Sequence, residues 1–108
     1  MNRANIATLG LVLKSGNMVF GFDAVKEEIQ KPNTKTAGIL LSCDLSAKTK
    51  KEVEFLRDKF CPGLEILQTD WDMELIGKTI GKKTGIIAVM DEGFWKSLTK
   101  RKQGGRNN

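Results

Sequence analysis

Two glycine-containing junctions hold the residues of this sequence that are best suited to contact a phosphate-rich partner. The first, from Ser15 to Lys26, joins a short apolar strand to an amphipathic helix through Gly21. The second, from Glu74 to Lys82, is a helical pattern that ends in glycine and lysine. Taken together, the two junctions indicate an edge of the molecule that contacts RNA.

The chemistry of catalysis and of metal binding has little support in the sequence. The chain has no histidine, so it lacks the usual general base and the commonest metal ligand near neutral pH. Cys43 and Cys61 do not form a zinc-site pattern, and no glycine-rich phosphate loop is present. Adjacent acids such as Asp70 and Asp72 are ordinary at helix starts. We therefore expect a protein that is not an enzyme and uses no cofactor or metal.

The charge of the chain is concentrated at one end. Four of the 18 basic residues and none of the 13 acidic residues lie in residues 100–108, so residues 1–99 hold 14 basic and 13 acidic groups. Residues 100–108 also have no apolar side chain to bury, which predicts a basic disordered tail behind one domain of residues 1–99. The tail either attracts phosphate without sequence preference or only raises solubility.

A cytoplasmic monomer is the setting that the sequence predicts. No apolar run approaches the roughly 18 residues of a membrane span, and the N-terminus lacks the basic head and cleavage site of a signal peptide. The chain has only two cysteines, which does not suggest a disulfide framework and suits a reducing compartment.

Helical and strand patterns alternate along the chain, which indicates an α/β protein with helices on both faces of a sheet. Ser46 is the expected N-cap of the central helix, and Asp70 or Asp72 that of the next one. Trp71 and Trp95 could stack on bases, but the core is the more ordinary place for them. Helices are expected at about 6–15, 22–31, 46–60 (with Val53, Leu56 and Phe60 inward), 72–80 and 91–98, and strands at 18–20, 37–43, 64–68 (at a sheet edge) and 86–90.

The order and spacing of four segments resemble the kink-turn RNA-binding ribosomal protein superfamily, the group of ribosomal proteins L seven Ae and L thirty e. The chain looks most like short bacterial members that are ribosome-associated. The resemblance covers residues 5–98. Its segments are Leu9-Gly10-Leu11 with Ser15-Gly16, the Gly21 junction, Ile39-Leu40-Leu41-Ser42-Cys43-Asp44, and Leu75 to Lys82 continuing to Val89-Met90-Asp91-Glu92-Gly93-Phe94.

This resemblance implies a three-layer α/β/α sandwich around a four-stranded mixed sheet. It also implies that structured, ribosomal RNA is held by the start of the second helix and by the loop before the last strand, with ribosomal proteins as further neighbours. Glycine permits close approach of the backbone, helix N-terminal amides donate to phosphate, and lysines supply charge. The implied RNA-binding residues are Gly21, Phe22, Asp23, Lys26, Lys78, Lys82, Lys83 and Thr84.

The sequence departs from the kink-turn pattern at the start of the second helix. Members of the group typically have asparagine and glutamate where Asp23 and Ala24 stand, and lysine where Glu27 stands. Asp23 and Glu27 are four residues apart and share a helix face, where both carboxylates would repel phosphate. These carboxylates suit a basic protein partner, so the alternative function is a protein-interaction adaptor on the same scaffold. The glycines also have a purely structural explanation, as a strand-to-helix turn and a helix C-terminus.

Removing residues 100–108 provides a first test of which part of the chain binds RNA. We expect the truncated protein to retain affinity for structured RNA at low salt, with a shallower salt dependence because fewer phosphates are neutralised. The slope of log affinity against log salt should fall by roughly 0.7 to 0.9 for each phosphate that the tail had neutralised. Complete loss of affinity at low salt would show that residues 1–99 do not bind RNA by themselves.

Overall fold

The computed structural model describes residues 6–99, which form a mixed α/β fold of five helices and a four-stranded sheet. Every helix and strand expected from the sequence within this range is present to within a few residues. The predicted basic tail lies outside the described residues. The elements in chain order are α1 Ala7–Lys14, β1 Met18–Phe20, α2 Phe22–Ile29, β2 Gly38–Leu41, α3 Ala47–Phe60, β3 Glu65–Gln68, α4 Met73–Ile80, β4 Ile86–Val89 and α5 Glu92–Thr99.

The sheet has the strand order β1-β4-β2-β3 and is mixed. Strand β4 pairs antiparallel with both β1 and β2, whereas β2 and β3 are parallel and are connected through α3. The two central strands are buried along their whole length, as their continuous apolar runs predict. Strand β3 is at an edge and its end residues are exposed, which confirms the prediction made from its polar composition.

Side chains of the central strands alternate between two cores, because successive strand residues point to opposite faces of the sheet. Leu40 and Ile87 pack with α1, α4 and α5 on one face of the sheet, which we call the first core. Ile39 and Ile86 pack with α2 and α3 on the other face, which we call the second core. The described residues therefore form the α/β/α sandwich that the alternation of elements predicts.

Both tryptophans belong to the first core. Trp71 is 6% exposed and Trp95 is 5% exposed, so neither indole is available to stack on a base. The Trp95 Nε1 donates to Glu65 Oε1 at 2.9 Å, which satisfies its polar atom at the β3 edge. The core position of both tryptophans, the more ordinary expectation, is confirmed.

Two helix caps are formed by the side chains expected from the sequence. The Ser46 Oγ accepts from the backbone N–H of Thr49 at 3.1 Å and starts α3. The Asp72 Oδ1 accepts from the N–H of Leu75 at 2.8 Å and starts α4. Of the two aspartates offered by the sequence, Asp72 is the cap, and it satisfies one of the free amides of the first turn.

The inward position expected for Phe60 is wrong. Val53 is buried and Leu56 packs on the second core, but Phe60 is 38% exposed and Lys59 Nζ lies 5.3 Å from its ring centre. Phe60 is the last residue of α3, where the chain turns, and Leu64 takes the buried position after that turn. Helical spacing alone therefore predicts the wrong residue for the core at this end of α3, because tertiary packing decides which side chain is buried.

None of the helices within residues 6–99 is long and apolar enough to cross a membrane. Cys43 is exposed and Cys61 is half-buried, and both are free thiols.

Replacing Gly38 with alanine should destabilise the fold, because the new Cβ would lie 2.3 Å from the Trp95 indole inside a close-packed core. We expect a loss of about 1 to 3 kcal/mol in the free energy of unfolding, measured by urea denaturation. Gly10→Ala is the matched control in α1, where the nearest atom to the new Cβ is at 4.0 Å. That control should be neutral or stabilising by up to about 1 kcal/mol. Equal stability of the two variants would contradict the packing described for Trp95.

Candidate nucleic-acid interface

The start of α2 and the loop between α4 and β4 are joined at one carbonyl. The backbone N–H of Gly21 donates to Ile86 O at 2.9 Å, just beyond the antiparallel pairing of β1 with β4. The Thr84 hydroxyl also donates to Ile86 O, at 3.3 Å, and accepts from the Ile86 N–H at 3.3 Å. The Gly21 bond brings the start of α2 next to the segment that follows the loop, and we call residues 21–26 together with residues 81–85 the glycine edge.

Gly21 turns the chain from β1 into α2 with a backbone conformation that other residues rarely adopt. Its φ is 95° and its ψ is 146°, and a Cβ there would meet no atom within 4 Å. The backbone around Gly21 is therefore open on the side where a side chain would stand. This glycine has a structural role whatever binds beside it.

The first turn of α2 has free backbone donors. Val25 is the first residue of α2 whose N–H makes a helical hydrogen bond, which it donates to Gly21 O at 3.0 Å. The N–H groups of residues 22–24 have no acceptor within residues 6–99, and no side chain caps this helix. The Asp23 carboxylate is exposed and makes no hydrogen bond or ion pair in the described chain. These amides therefore have no protein acceptor, as is usual for the first turn of a helix, and are available to an anion.

The loop after α4 is shaped by two further glycines. Gly81 ends the helix in the left-handed conformation, with φ 83°, and its N–H donates to Gly77 O at 2.8 Å. A Cβ on Gly77 would stand only 3.3 Å from the Lys83 Cα, so the loop backbone lies directly against the helix. The structural explanation of the glycines is thus correct for both Gly21 and Gly81.

The structure brings most of the sequence-predicted residues to this one edge. Lys82 and Lys83 are exposed in the loop, and Lys78 is exposed one turn earlier in α4. The Thr84 hydroxyl is used within the loop itself, as described above. The Phe22 side chain packs on the second core, so it is the Phe22 backbone that faces the edge.

The glycine edge contains three lysines, Lys26, Lys82 and Lys83, and one acid, Asp23, so positive charge predominates there; Lys78 and Glu27 lie one turn and one residue outside it. The ammonium groups of Lys26, Lys78, Lys82 and Lys83 make no ion pair within residues 6–99. Since no protein carboxylate holds these lysines, they are free to meet an external anion. No group of three or more Cys, Asp or Glu side chains in the described chain is arranged to hold a metal ion.

An open groove next to the glycine edge was not predicted from the sequence. It lies between α2 and α3 and has a volume of about 470 Å³. Phe55, which is 64% exposed, lies in it although helical spacing gave no reason to single it out. The available signal was an aromatic residue on the charged face of α3. The α2–α3 groove is lined by Phe22, Lys26, Lys48, Lys51, Glu52, Phe55 and Leu56.

The backbone requirement at Gly21 is testable by stability. Gly21→Ala should lower the free energy of unfolding by roughly 1 to 3 kcal/mol, because its φ and ψ lie in a region that is almost restricted to glycine. Gly81→Asn is the control, since asparagine tolerates the left-handed conformation found there. Urea denaturation should show a clearly smaller loss for Gly81→Asn. The reverse order would contradict the geometry of the α2 start.

Comparison with known proteins supports the fold alone. No family model and no curated protein sequence matches this chain. A solved structure of a protein of unknown function from Bacillus halodurans is similar, with a TM-score of 0.73 and 24% sequence identity. The similarity covers 86% of this chain and 90% of that chain. It shows that the arrangement of helices and strands recurs in another protein.

Proposed function

We propose that this protein binds structured RNA at the glycine edge and catalyses no reaction there. The observation that carries the proposal is the pair of bonds at Ile86 O, from Gly21 N–H and from the Thr84 hydroxyl. The Gly21 bond joins the start of α2, with its free amides, to the strand that follows the lysine-bearing loop, and the Thr84 contact belongs to that loop. A bent RNA backbone presents phosphates at short intervals, so it can reach both at once.

The electrostatics of the edge support an RNA ligand of defined shape. Residues 1–99 are nearly neutral in sum, so general attraction to any polyanion is weak for this part of the chain. Affinity must then come from local donors, namely the unpaired lysines of the loop and the free amides of residues 22–24. Such donors serve an RNA that places its phosphates at matching positions.

The resemblance to the kink-turn superfamily supports the class of RNA. It favours a ribosomal RNA as target and a ribosome-associated, cytoplasmic protein that acts as a monomer. The kink-turn is the specific shape to test, because its sharp bend brings phosphates together. The departures at Asp23 and Glu27 indicate weaker kink-turn binding than is typical of the group, since each carboxylate repels phosphate.

A protein-interaction adaptor is the second candidate function. One observation favours it: Asp23 and Glu27 are exposed and unpaired in the described chain, on the same face of α2. Two free carboxylates at this spacing suit a basic protein surface. This candidate is tested by isolating the protein from cells with and without nuclease. Partners that survive RNA digestion support the adaptor, and loss of every partner argues against it.

Exchanging the two acids for the residues typical of kink-turn binders tests the proposed RNA interface. Asp23→Asn combined with Glu27→Lys should raise affinity for a kink-turn RNA by on the order of tenfold, because it removes two repulsive charges and adds a cation. Fluorescence anisotropy with labelled RNA measures the change. If neither the unmutated protein nor the double variant binds RNA, the proposed function is refuted.

The control must add the same charge away from the glycine edge. Asp58→Asn with Glu92→Lys changes the net charge by the same amount, near the end of α3 and in the first turn of α5. Of the two replaced acids, only Asp58 forms an ion pair in the described chain, with Arg57, and this surface pair contributes little to stability. A gain in affinity as large in this control would mean that overall charge, and not the α2 start, governs RNA binding.

A further inference from the structure

The α2–α3 groove combines an exposed aromatic ring with unsatisfied positive charge. Phe55 is 64% exposed, although a large apolar side chain is normally buried. The ammonium groups of Lys26, Lys48 and Lys51 make no hydrogen bond or ion pair within residues 6–99. Glu52 is the one acid that lines the groove, so the lining residues carry a net charge of +2. The groove is therefore complementary to an anion that also has an apolar face.

The helical spacing on α3 places ring and charges on one surface. Lys48, Lys51 and Phe55 follow one another at intervals of three and four residues, so they form a single stripe along the helix. A nucleotide has both parts that such a stripe recognises, a flat base to stack on the ring and a phosphate to pair with ammonium groups. The groove is open to solvent, and its volume of about 470 Å³ leaves room for a base beside the ring.

The groove is continuous with the glycine edge. Phe22 and Lys26 line the groove, and both belong to the first turns of α2 that follow Gly21. Phe22 and Lys26 thus belong to both surfaces, so an RNA bound at the edge would lie next to the groove. This continuity favours RNA over an acidic peptide, which would meet the same charges but has no reason to begin at the edge.

We propose that the α2–α3 groove binds an unpaired nucleotide next to the structured RNA held at the glycine edge. Its base stacks on Phe55, and its phosphates contact Lys48 and Lys51. The inference rests on the proposed function and extends it, because it assigns a single-stranded segment to the RNA ligand. The proposal does not specify the direction of the RNA chain, so the single-stranded segment can extend from the 5′ or the 3′ end of the structured part.

The experiment compares a kink-turn RNA with the same RNA carrying about four unpaired uridines at one end or the other. Fluorescence anisotropy should show at least about fivefold tighter binding of one extended RNA, as one stacked base provides. That gain should disappear in Phe55→Leu, which keeps apolar volume but removes the flat ring, and in Lys48→Gln combined with Lys51→Gln. The control Lys96→Gln removes an exposed lysine from α5, on the opposite face of the sheet, and should keep the gain.

A second measurement reports directly on the groove. Phe55→Trp introduces an exposed indole, whereas Trp71 and Trp95 are buried in the core. Quenching of the added fluorescence by the extended RNA, with little change on the unextended RNA, is the expected result. Because Phe55 is exposed, all groove variants should unfold at the same urea concentration as the unmutated protein.

The possible failures are distinguishable. If the unextended RNA binds but neither extension adds affinity, the groove proposal is overturned and the proposed function stands. The groove proposal is equally overturned if Phe55→Leu keeps the gain, since the extension then lies elsewhere. Binding of neither RNA overturns both proposals. A labelled peptide of glutamate and phenylalanine tests the other occupant. If this peptide binds the unmutated protein but not the Phe55→Leu variant, and the RNA extensions add no affinity, the groove is a protein-binding site and the nucleotide proposal is overturned.

Discussion

The carbonyl group of Ile86 is the point on which the glycine edge depends. It accepts the Gly21 N–H at 2.9 Å and the Thr84 hydroxyl at 3.3 Å, at the place where β4 begins and β1 has just ended. The Gly21 bond joins the start of α2 to the first residue of β4, and the Thr84 contact is a local one within the segment that leads into β4. The start of α2 is therefore a neighbour of the segment that follows the loop, even though the two are far apart in the chain.

The glycines of this edge are required by the fold, so their presence alone says little about function. Gly21 allows the turn into α2, and Gly81 ends α4 in the left-handed conformation. The free N–H groups of residues 22–24 also follow from the fold, because the first amides of any helix lack an intrahelical acceptor. The proposed RNA contact rests on the position of these amides beside Gly21 and on the exposed lysines of the loop after α4.

The two layers of helices differ in what they offer to a partner. The layer of α1, α4 and α5 buries both tryptophans in its core. The layer of α2 and α3 leaves Phe55 exposed among lysines in an open groove. Residues 1–99 are almost neutral in sum, so the positive charge of this groove is a local feature that the net charge does not reveal.

Much of the secondary structure is determined by local sequence. The continuous apolar runs of β2 and β4, the cap at Ser46 and the polar composition of β3 lead to the observed elements, because periodicity, capping and edge polarity act within a few residues. The glycines and lysines of the candidate site were likewise visible in the sequence. Phe60 shows the limit of such patterns, because helical spacing predicts an inward position for it, whereas it is exposed and Leu64 is buried in the second core.

The sequence by itself determined which elements form and which residues have suitable chemistry. Only the tertiary structure decided that Gly21 and Thr84 share an acceptor, because that contact depends on the antiparallel pairing of β1 with β4 across most of the chain. It also decided that Phe55 borders a groove, because the space between α2 and α3 depends on how both helices pack on the sheet. Contacts of this kind arise from packing between distant segments, which no local pattern specifies.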